Sequence, residues 1–268
     1  MSHEETETNE LILVVEDNSI NQRVTLLQLD ELGIEAHAVS NGLEALDAVS
    51  ATRYALILMD CQMPEMDGLQ ATREIRKREE ISGEHVTIVA LTAHAMTSDR
   101  VKCLAVGMDD YCSKPVSLKK LAEVLRRWLK RPLNFDFTES QSDAKNSEAE
   151  AKPVELDILF SVFGKELIAD LLVDFVSEAD EQMEALREAI QSKDLDTVKY
   201  LIHDLKGTSA TIYATELSEL SFVLEQYAHG ETFDWDVINS FFESIEIAWH
   251  KVRNYLATNG YSDPVVSS

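Results

Sequence analysis

Ala55-Leu56-Ile57-Leu58-Met59-Asp60-Cys61-Gln62-Met63-Pro64-Glu65-Met66-Asp67-Gly68 runs from an unbroken apolar stretch into an aspartate and then into turn-forming residues. An apolar run of this length, with no polar alternation, reads as a strand covered on both faces, the kind found in parallel sheets. Further short runs occupy Leu11–Val15, Val86–Leu91 and Met108–Cys112, the last carrying Asp109 and Asp110, separated by segments of helical period. The first half of the chain therefore reads as repeated βαβ units. In an open parallel sheet the carboxyl ends of the strands line one crevice. The residues that follow the runs, Glu16 with Asp17, Asp60, Thr92 and Lys114, are thus expected to meet: three acids, a hydroxyl and a lysine.

Three crowded carboxylates repel one another unless a cation sits among them. All-oxygen ligands with open positions suit a hard ion that keeps several waters, and Mg²⁺ fits best. Asp60 is then the candidate nucleophile toward a phosphoryl group whose oxygens the metal, Thr92 and Lys114 would neutralise. The product would be an aspartyl phosphate.

The segments Leu13-Val-Val-Glu16-Asp17-Asn18, Leu58-Met59-Asp60 through Asp67-Gly68, Ala90-Leu-Thr92-Ala and Ser113-Lys114-Pro115 resemble the receiver domains of two-component systems, above all those of hybrid kinases. The resemblance spans residues 10 to 131 and implies a flavodoxin-like, doubly wound, five-stranded parallel sheet. It further implies that Glu16, Asp17, Asp60 and the backbone carbonyl of Gln62 bind magnesium. Asp60 would accept phosphate from a phosphohistidine, and Thr92 and Tyr111 would relay the change. Asp67-Gly68 reads as a turn and helix start. Cys61 reads as a small residue beside a strand end, with no histidine or second cysteine at metal-ligand spacing.

Other chemistries fit less well. Haloacid-dehalogenase-like phosphatases carry a second aspartate two residues after the nucleophile, where this chain has Gln62, so the acid for rapid turnover is missing. None of the nine glycines forms a Gly-x-Gly pair, which argues against dinucleotide, P-loop and histidine-kinase ATP sites. The chain is therefore expected to be a phosphoacceptor and carrier, not an ATP-using enzyme.

The 268 residues suffice for two domains, each with its own core. Residues 1–9 form an acidic tail without a basic or apolar leader, and no apolar run approaches a membrane span. The three cysteines agree with reduced thiols, and a cytoplasmic location without membrane insertion is expected. Met1 and its acidic leader favour an independent start over the tail of a hybrid sensor kinase. Residues 1–131 carry 15 Lys plus Arg against 22 Asp plus Glu; residues 132–268 carry 9 against 27. Net charges of −7 and −18 oppose binding to nucleic acid, which needs a basic face.

Residues 132–154 lack periodic apolar positions and read as a flexible linker, spanning about 27 Å as a random coil. Before it, Leu118, Leu121, Val124, Leu125, Trp128 and Leu129 make an amphipathic stripe ending in Lys130-Arg131. From 155 to 258 the pattern is all-helical, with helices expected near 155–162, 165–192, 194–212, 214–229 and 234–258, and 259–268 as a tail. Leu167, Leu171, Leu172, Phe175, Val176, Met183, Leu186 and Ile190 supply a bundle stripe.

Within this acidic bundle stands Ile202-His203-Asp204-Leu205-Lys206-Gly207-Thr208-Ser209-Ala210. Lys206 and Gly207 lie one turn from His203. With Val198, Leu201, Ile202, Leu205 and Ser209 facing inward, the imidazole is expected toward solvent, as a nucleophile beside Lys206, which would neutralise phosphoryl charge. The stretch resembles the histidine phosphotransfer domains, with one departure: Tyr213 stands where that family usually has glycine. His94, close to Thr92, is expected to tune access to Asp60.

The combined expectation is a phosphorelay intermediate. Phosphate would reach Asp60 from a sensor histidine kinase, and His203 would pass it to or from a downstream receiver. The alternative is an output regulator whose acidic bundle binds a target protein under control of phosphorylated Asp60, with His203 dispensable.

Overall fold

The computed structural model describes residues 10–92, 97–114, 116–129, 152–163, 165–230 and 232–261, with 97–100, 161–163 and 165–167 described by backbone alone. The chain divides into two compact units, Met1–Ser140 and Gln141–Ser268. His94, Lys130-Arg131 and most of the expected linker lie outside the described residues, as do residues 1–9.

The first unit alternates β1 (Ile12–Val15), α1 (Ser19–Glu31), β2 (Ala36–Val39), α2 (Gly42–Ala51), β3 (Leu56–Asp60), α3 (Gly68–Ser82), β4 (Thr87–Thr92), α4 (Thr97–Ala105), β5 (Asp110–Ser113) and α5 (Leu118–Trp128). All strand pairs are parallel, in the order β2-β1-β3-β4-β5. This is the doubly wound arrangement with its switch point between β1 and β3. Side chains alternate across the sheet. Ile12 and Val14 accordingly pack with Leu29 of α1 and Leu125 of α5, while Leu13 and Val15 pack with Ala45 of α2 and Ile75 of α3. Trp128, expected in the stripe of α5, is partly exposed, its indole N–H donating to Asp110 Oδ2 at 3.0 Å.

Short polar caps start the helices that follow the crevice. Asn18 accepts from Asn21 N–H at the head of α1, and Asp67 accepts from Gln70 N–H at the head of α3. Each satisfies a backbone donor that the first turn leaves without a partner.

The second unit contains α6 (Leu156–Phe163), α7 (Lys165–Ser192), α8 (Leu195–Thr211), α9 (Thr215–Ala228) and α10 (Trp235–Thr258). Leu171, Phe175, Leu186, Ile202, Leu224 and Ile245 are among its buried side chains. Phe175 meets Trp249 edge to face at 5.6 Å, and the Trp249 indole donates to Asp180 at 3.0 Å. The bundle reaches further than its expected bounds at both ends. Val154, assigned to the linker, is fully buried, and Tyr261, assigned to the tail, is buried with its ring against Phe160. Among the described residues no helix is long and apolar enough to cross a membrane.

Helix α7 ends in a paired hydrogen-bond lock: Asp194 N–H donates to Ala189 and Lys193 N–H to Ile190. The same two-bond pattern ends α1 at Gly33 and α4 at Gly107, both with positive φ. Its hinge residue must adopt a left-handed backbone, which favours glycine. At the end of α7 the hinge is the exposed Lys193 at φ +57°. Lys193→Gly is therefore expected to stabilise the second unit by up to about 1 kcal/mol, measurable as a higher urea midpoint.

Candidate functional site

Strand register brings the expected residues of the first unit to one edge. Val15 pairs with Met59, Asp60 with Leu91, and Thr92 with Ser113. Glu16, Asp60, Thr92 and Lys114 thus emerge at the carboxyl ends of β1, β3, β4 and β5. The Lys114 ammonium lies 2.6 Å from Glu16 Oε2 and 2.6 Å from Asp60 Oδ2. Glu16 and Asp60 are both buried. Lys114 is anchored through its backbone, its N–H donating to the Thr92 carbonyl at 2.8 Å. Gln62 N–H donates to Asp60 Oδ1 at 3.2 Å. Tyr111 pairs with Ala90 and is half-buried against the core on the α3 side of the sheet.

Burial pushes the Glu16 carboxyl up to about 8; the Lys114 ammonium pulls it down, and Asp60 and Asp17 push it further up. Burial works against the Lys114 ammonium too, yet Asp60 and Glu16 outweigh it and hold the lysine above its ordinary value. These opposing pulls describe a site with more negative charge than one ammonium can match. Carboxylate oxygens of Glu16, Asp17 and Asp60 all lie within 4.8 Å of one another. That donor set fits a hard divalent cation.

Two supports of Glu16 were not anticipated from sequence. Asn21 Nδ2 donates to Glu16 Oε1 at 3.2 Å, and Gln22 Nε2 donates to the carbonyls of Glu16 and Val39. Gly68 is also more than a helix start. A Cβ placed there would lie 1.9 Å from the Asp60 carbonyl oxygen, so only glycine lets α3 begin this close to the aspartate. Cys61, next to Asp60, shares a hydrogen bond with Cys103, and that bond and its burial push its pKa up.

In the bundle, His203 is more enclosed than expected, its side chain 17% exposed. The imidazole Nδ1 lies 2.5 Å from Glu225 Oε1, a residue of α9. Lys206 Nζ contacts both Glu225 oxygens, at 2.9 and 2.7 Å, and approaches His203 Nδ1 at 3.4 Å. Lys206 is buried and its ammonium pairs with Glu225. Burial disfavours the ionised Glu225, but the hydrogen bonds from His203 and Lys206 outweigh it and bring the carboxyl down to about 2. An ionised carboxylate can only accept. His203 Nδ1 therefore carries the proton, and in the neutral ring the lone pair sits on Nε2.

Glu225 escaped sequence reading because it lies 22 residues away on another helix. Its signal is an acid on a buried stripe, one turn beyond Ser221 and one before Ala228, both fully buried. The Tyr213 departure has a backbone cause. Tyr213 ends α8 at φ +58°, with Ala214 N–H donating to Ser209 and Tyr213 N–H to Ala210, the same lock that holds glycine elsewhere in the chain.

The response regulator receiver domain family matches residues 12–126, and the Hpt domain family matches residues 170–255. The chain thus carries a phosphoacceptor receiver domain followed by an Hpt domain. The sensor protein GacS of Pseudomonas syringae pv. syringae is 37% identical over 203 residues, covering 74% of this chain and 22% of the relative. The sensor histidine kinase GacS of Pseudomonas protegens is 34% identical over 201 residues, with the same two shares. The chain spans about a fifth of the length of these curated relatives. The receiver domain of sensor histidine kinase PA1611 from Pseudomonas aeruginosa, solved with magnesium in its active site cleft, is 45% identical; the match covers 44% of this chain and 96% of that one, with a TM-score of 0.41.

Gly68→Ala is expected to destabilise the first unit by about 1–3 kcal/mol and to displace the Asp60 backbone, seen as a lower melting temperature together with impaired labelling of Asp60. Glu225→Gln is expected to destabilise the bundle at pH 7 by on the order of 3 kcal/mol. The Glu225 carboxyl ionises more readily folded than unfolded, so its contribution is complete above about pH 4.5 and is lost as pH falls toward about 2. Urea unfolding from pH 7 to pH 3 should show the gap between variant and wild type narrowing.

Proposed function

We propose that this chain works as a phosphorelay intermediate, with Asp60 and His203 as its two phosphoacceptors. The observation that carries this reading is the pair of oppositely wired nucleophiles on one chain: a carboxylate held against an ammonium, and an imidazole held against a carboxylate.

An Asp60 carboxylate oxygen attacks the phosphorus of a kinase phosphohistidine, the P–N bond breaks, and the kinase imidazole leaves. Lys114 and Thr92 stand at the strand ends where the phosphoryl oxygens arrive, and Tyr111, on β5 beside β4, passes the change to the surface. Glu16, Asp17, Asp60 and the Gln62 backbone carbonyl would hold Mg²⁺, which when bound neutralises charge on the transferred group. In the second step the lone pair on His203 Nε2 attacks the acyl phosphate and the Asp60 carboxylate is released; the same exchange joins His203 to the aspartate of a separate receiver. Glu225 keeps the proton on Nδ1 and balances the positive charge that develops on the ring. Lys206 positions Glu225 and acts through it.

The partners implied are a sensor histidine kinase, which supplies the ATP-dependent step from residues outside this chain, and a downstream receiver. That the two relatives described above are sensor kinases supports this placement, and a cytoplasmic setting follows from it.

With a phosphorylated kinase as donor, wild-type protein should carry both base-labile acyl phosphate and acid-labile phosphohistidine. Asp60→Asn should take up no label from the kinase, and EDTA should abolish uptake by wild type. His203→Gln should hold only base-labile label and fail to pass it to a second receiver. Acid-labile label persisting in His203→Gln would refute the assignment.

A further inference from the structure

The Sγ atoms of Cys61 and Cys103 lie 3.4 Å apart, although the residues are 42 positions apart in sequence. Cys61 directly follows the candidate phosphoacceptor and is half-buried; Cys103 is buried on α4. We propose that Cys61 and Cys103 are an oxidisable dithiol, a modification site whose disulfide ties α4 to the loop carrying Asp60.

Geometry selects this pair. A disulfide brings its sulfurs to about 2.05 Å, so closing the observed contact requires an approach of roughly 1.4 Å, a distance that small side-chain rotations and a slight shift of α4 can supply. Cys61 and Cys103 belong to the same core, on the α3 side of the sheet. The third cysteine, Cys112, belongs to the core on the opposite side. The sheet therefore separates it from both partners.

The oxidant class that fits is a peroxide, which supplies the two oxidising equivalents. Cys61, the more accessible sulfur, reacts slowly because it is held as a thiol: its sulfur attacks one peroxide oxygen, the O–O bond breaks, and the thiol proton passes to the departing oxygen, which leaves as water. The resulting sulfenic acid is attacked by the Cys103 sulfur. The S–S bond forms, the S–O bond breaks, and the departing hydroxide combines with the Cys103 proton. Two thiols and one hydrogen peroxide become one disulfide and two waters, with both sulfurs oxidised and both peroxide oxygens reduced.

The crosslink acts on a short lever. The Cys61 N–H donates to the Leu91 carbonyl at 3.2 Å, and the next residue, Gln62, donates to Asp60 Oδ1. Tethering Cys61 to α4 fixes this segment against the end of β4, so the oxidised protein should accept phosphate at Asp60 several-fold more slowly. This consequence rests on the phosphoacceptor reading of Asp60; formation of the disulfide does not.

The reduced 268-residue chain is treated with hydrogen peroxide under native conditions, quenched with an alkylating agent and digested without reduction. The expected product is a Cys61 peptide joined to a Cys103 peptide, lighter by two hydrogens than their sum. It should be absent from Cys61→Ser and from Cys103→Ser and present in Cys112→Ser, with circular dichroism verifying that each variant folds. Both thiols remaining alkylatable, each reaching sulfinic acid alone, or linkage only between chains would overturn the proposal. Labelling with acetyl phosphate then compares reduced and oxidised protein. Slower uptake that recovers on reduction, and that Cys61→Ser does not show, supports the coupling; equal uptake in the two forms overturns it. Failure of the reduced chain itself to take up label would instead count against the phosphoacceptor reading, while the mass of the crosslinked peptide still decides the proposal.

Discussion

Lys114 lies 2.6 Å from each of two buried carboxylates, Glu16 and Asp60, and the first unit is organised around keeping those three groups together. Removing the ammonium would leave buried charge uncompensated, at a cost of about 3–5 kcal/mol. The acids close adjacent strands, β1 and β3, but the lysine follows β5, two strands from β3 in the sheet. At about 4.8 Å per strand that gap approaches 10 Å, which calls for a long side chain reaching over the end of β4. The Thr92 carbonyl, at that strand end, accepts the Lys114 N–H and aims it. A parallel sheet is what allows all four strand ends to face one way, so fold and site answer to one electrostatic requirement.

The bundle meets the reverse requirement. In the proposed relay Asp60 is an anionic nucleophile facing an anionic phosphoryl group, and the Lys114 ammonium beside it supplies positive charge. His203, in the same proposal, gains positive charge as it takes up phosphate, and its neighbour Glu225 supplies negative charge. Lys206 closes the balance by pairing with Glu225, leaving a single buried carboxylate shared between two nitrogen partners. Polarity at each centre thus follows the charge its nucleophile gains or loses.

What could be read from the amino-acid order followed from how completely an element is buried. β1 and β3 are covered on both faces, so their apolar runs stand out, and the acids after them are conspicuous. β2 lies at the sheet edge, has a half-exposed Ala-His-Ala-Val sequence, and went without assigned bounds. The five bundle helices were legible because their stripes are regular and the sequence itself offers break signals at Gly164, Lys193-Asp194 and Gly230 to Asp234. Contacts between distant helices leave no such period. Glu225, Val154 and Tyr261 became visible only when the chain was folded, since each is defined by what packs on it. Cys61 reads from sequence only as a small residue for the same reason: Cys103 is 42 residues away and shares no spacing with it.

Tyr213 shows how the remaining departure is sustained. A left-handed backbone costs a side-chain-bearing residue about 1–2 kcal/mol, yet at the end of α8 the hydrogen-bond lock from Ala214 to Ser209 fixes that conformation. Burial pushes the Tyr213 hydroxyl above its ordinary pKa, which marks a ring withdrawn from water. Covering aromatic surface is worth about 25 cal/mol per Å², so some tens of Å² suffice to offset the strain that glycine would have avoided. The Tyr213 carbonyl also accepts the Glu155 N–H, joining the end of the helix that carries His203 to the segment that opens the bundle. A residue unfavourable by its backbone thereby holds the start of the unit to the helix on which its chemistry rests.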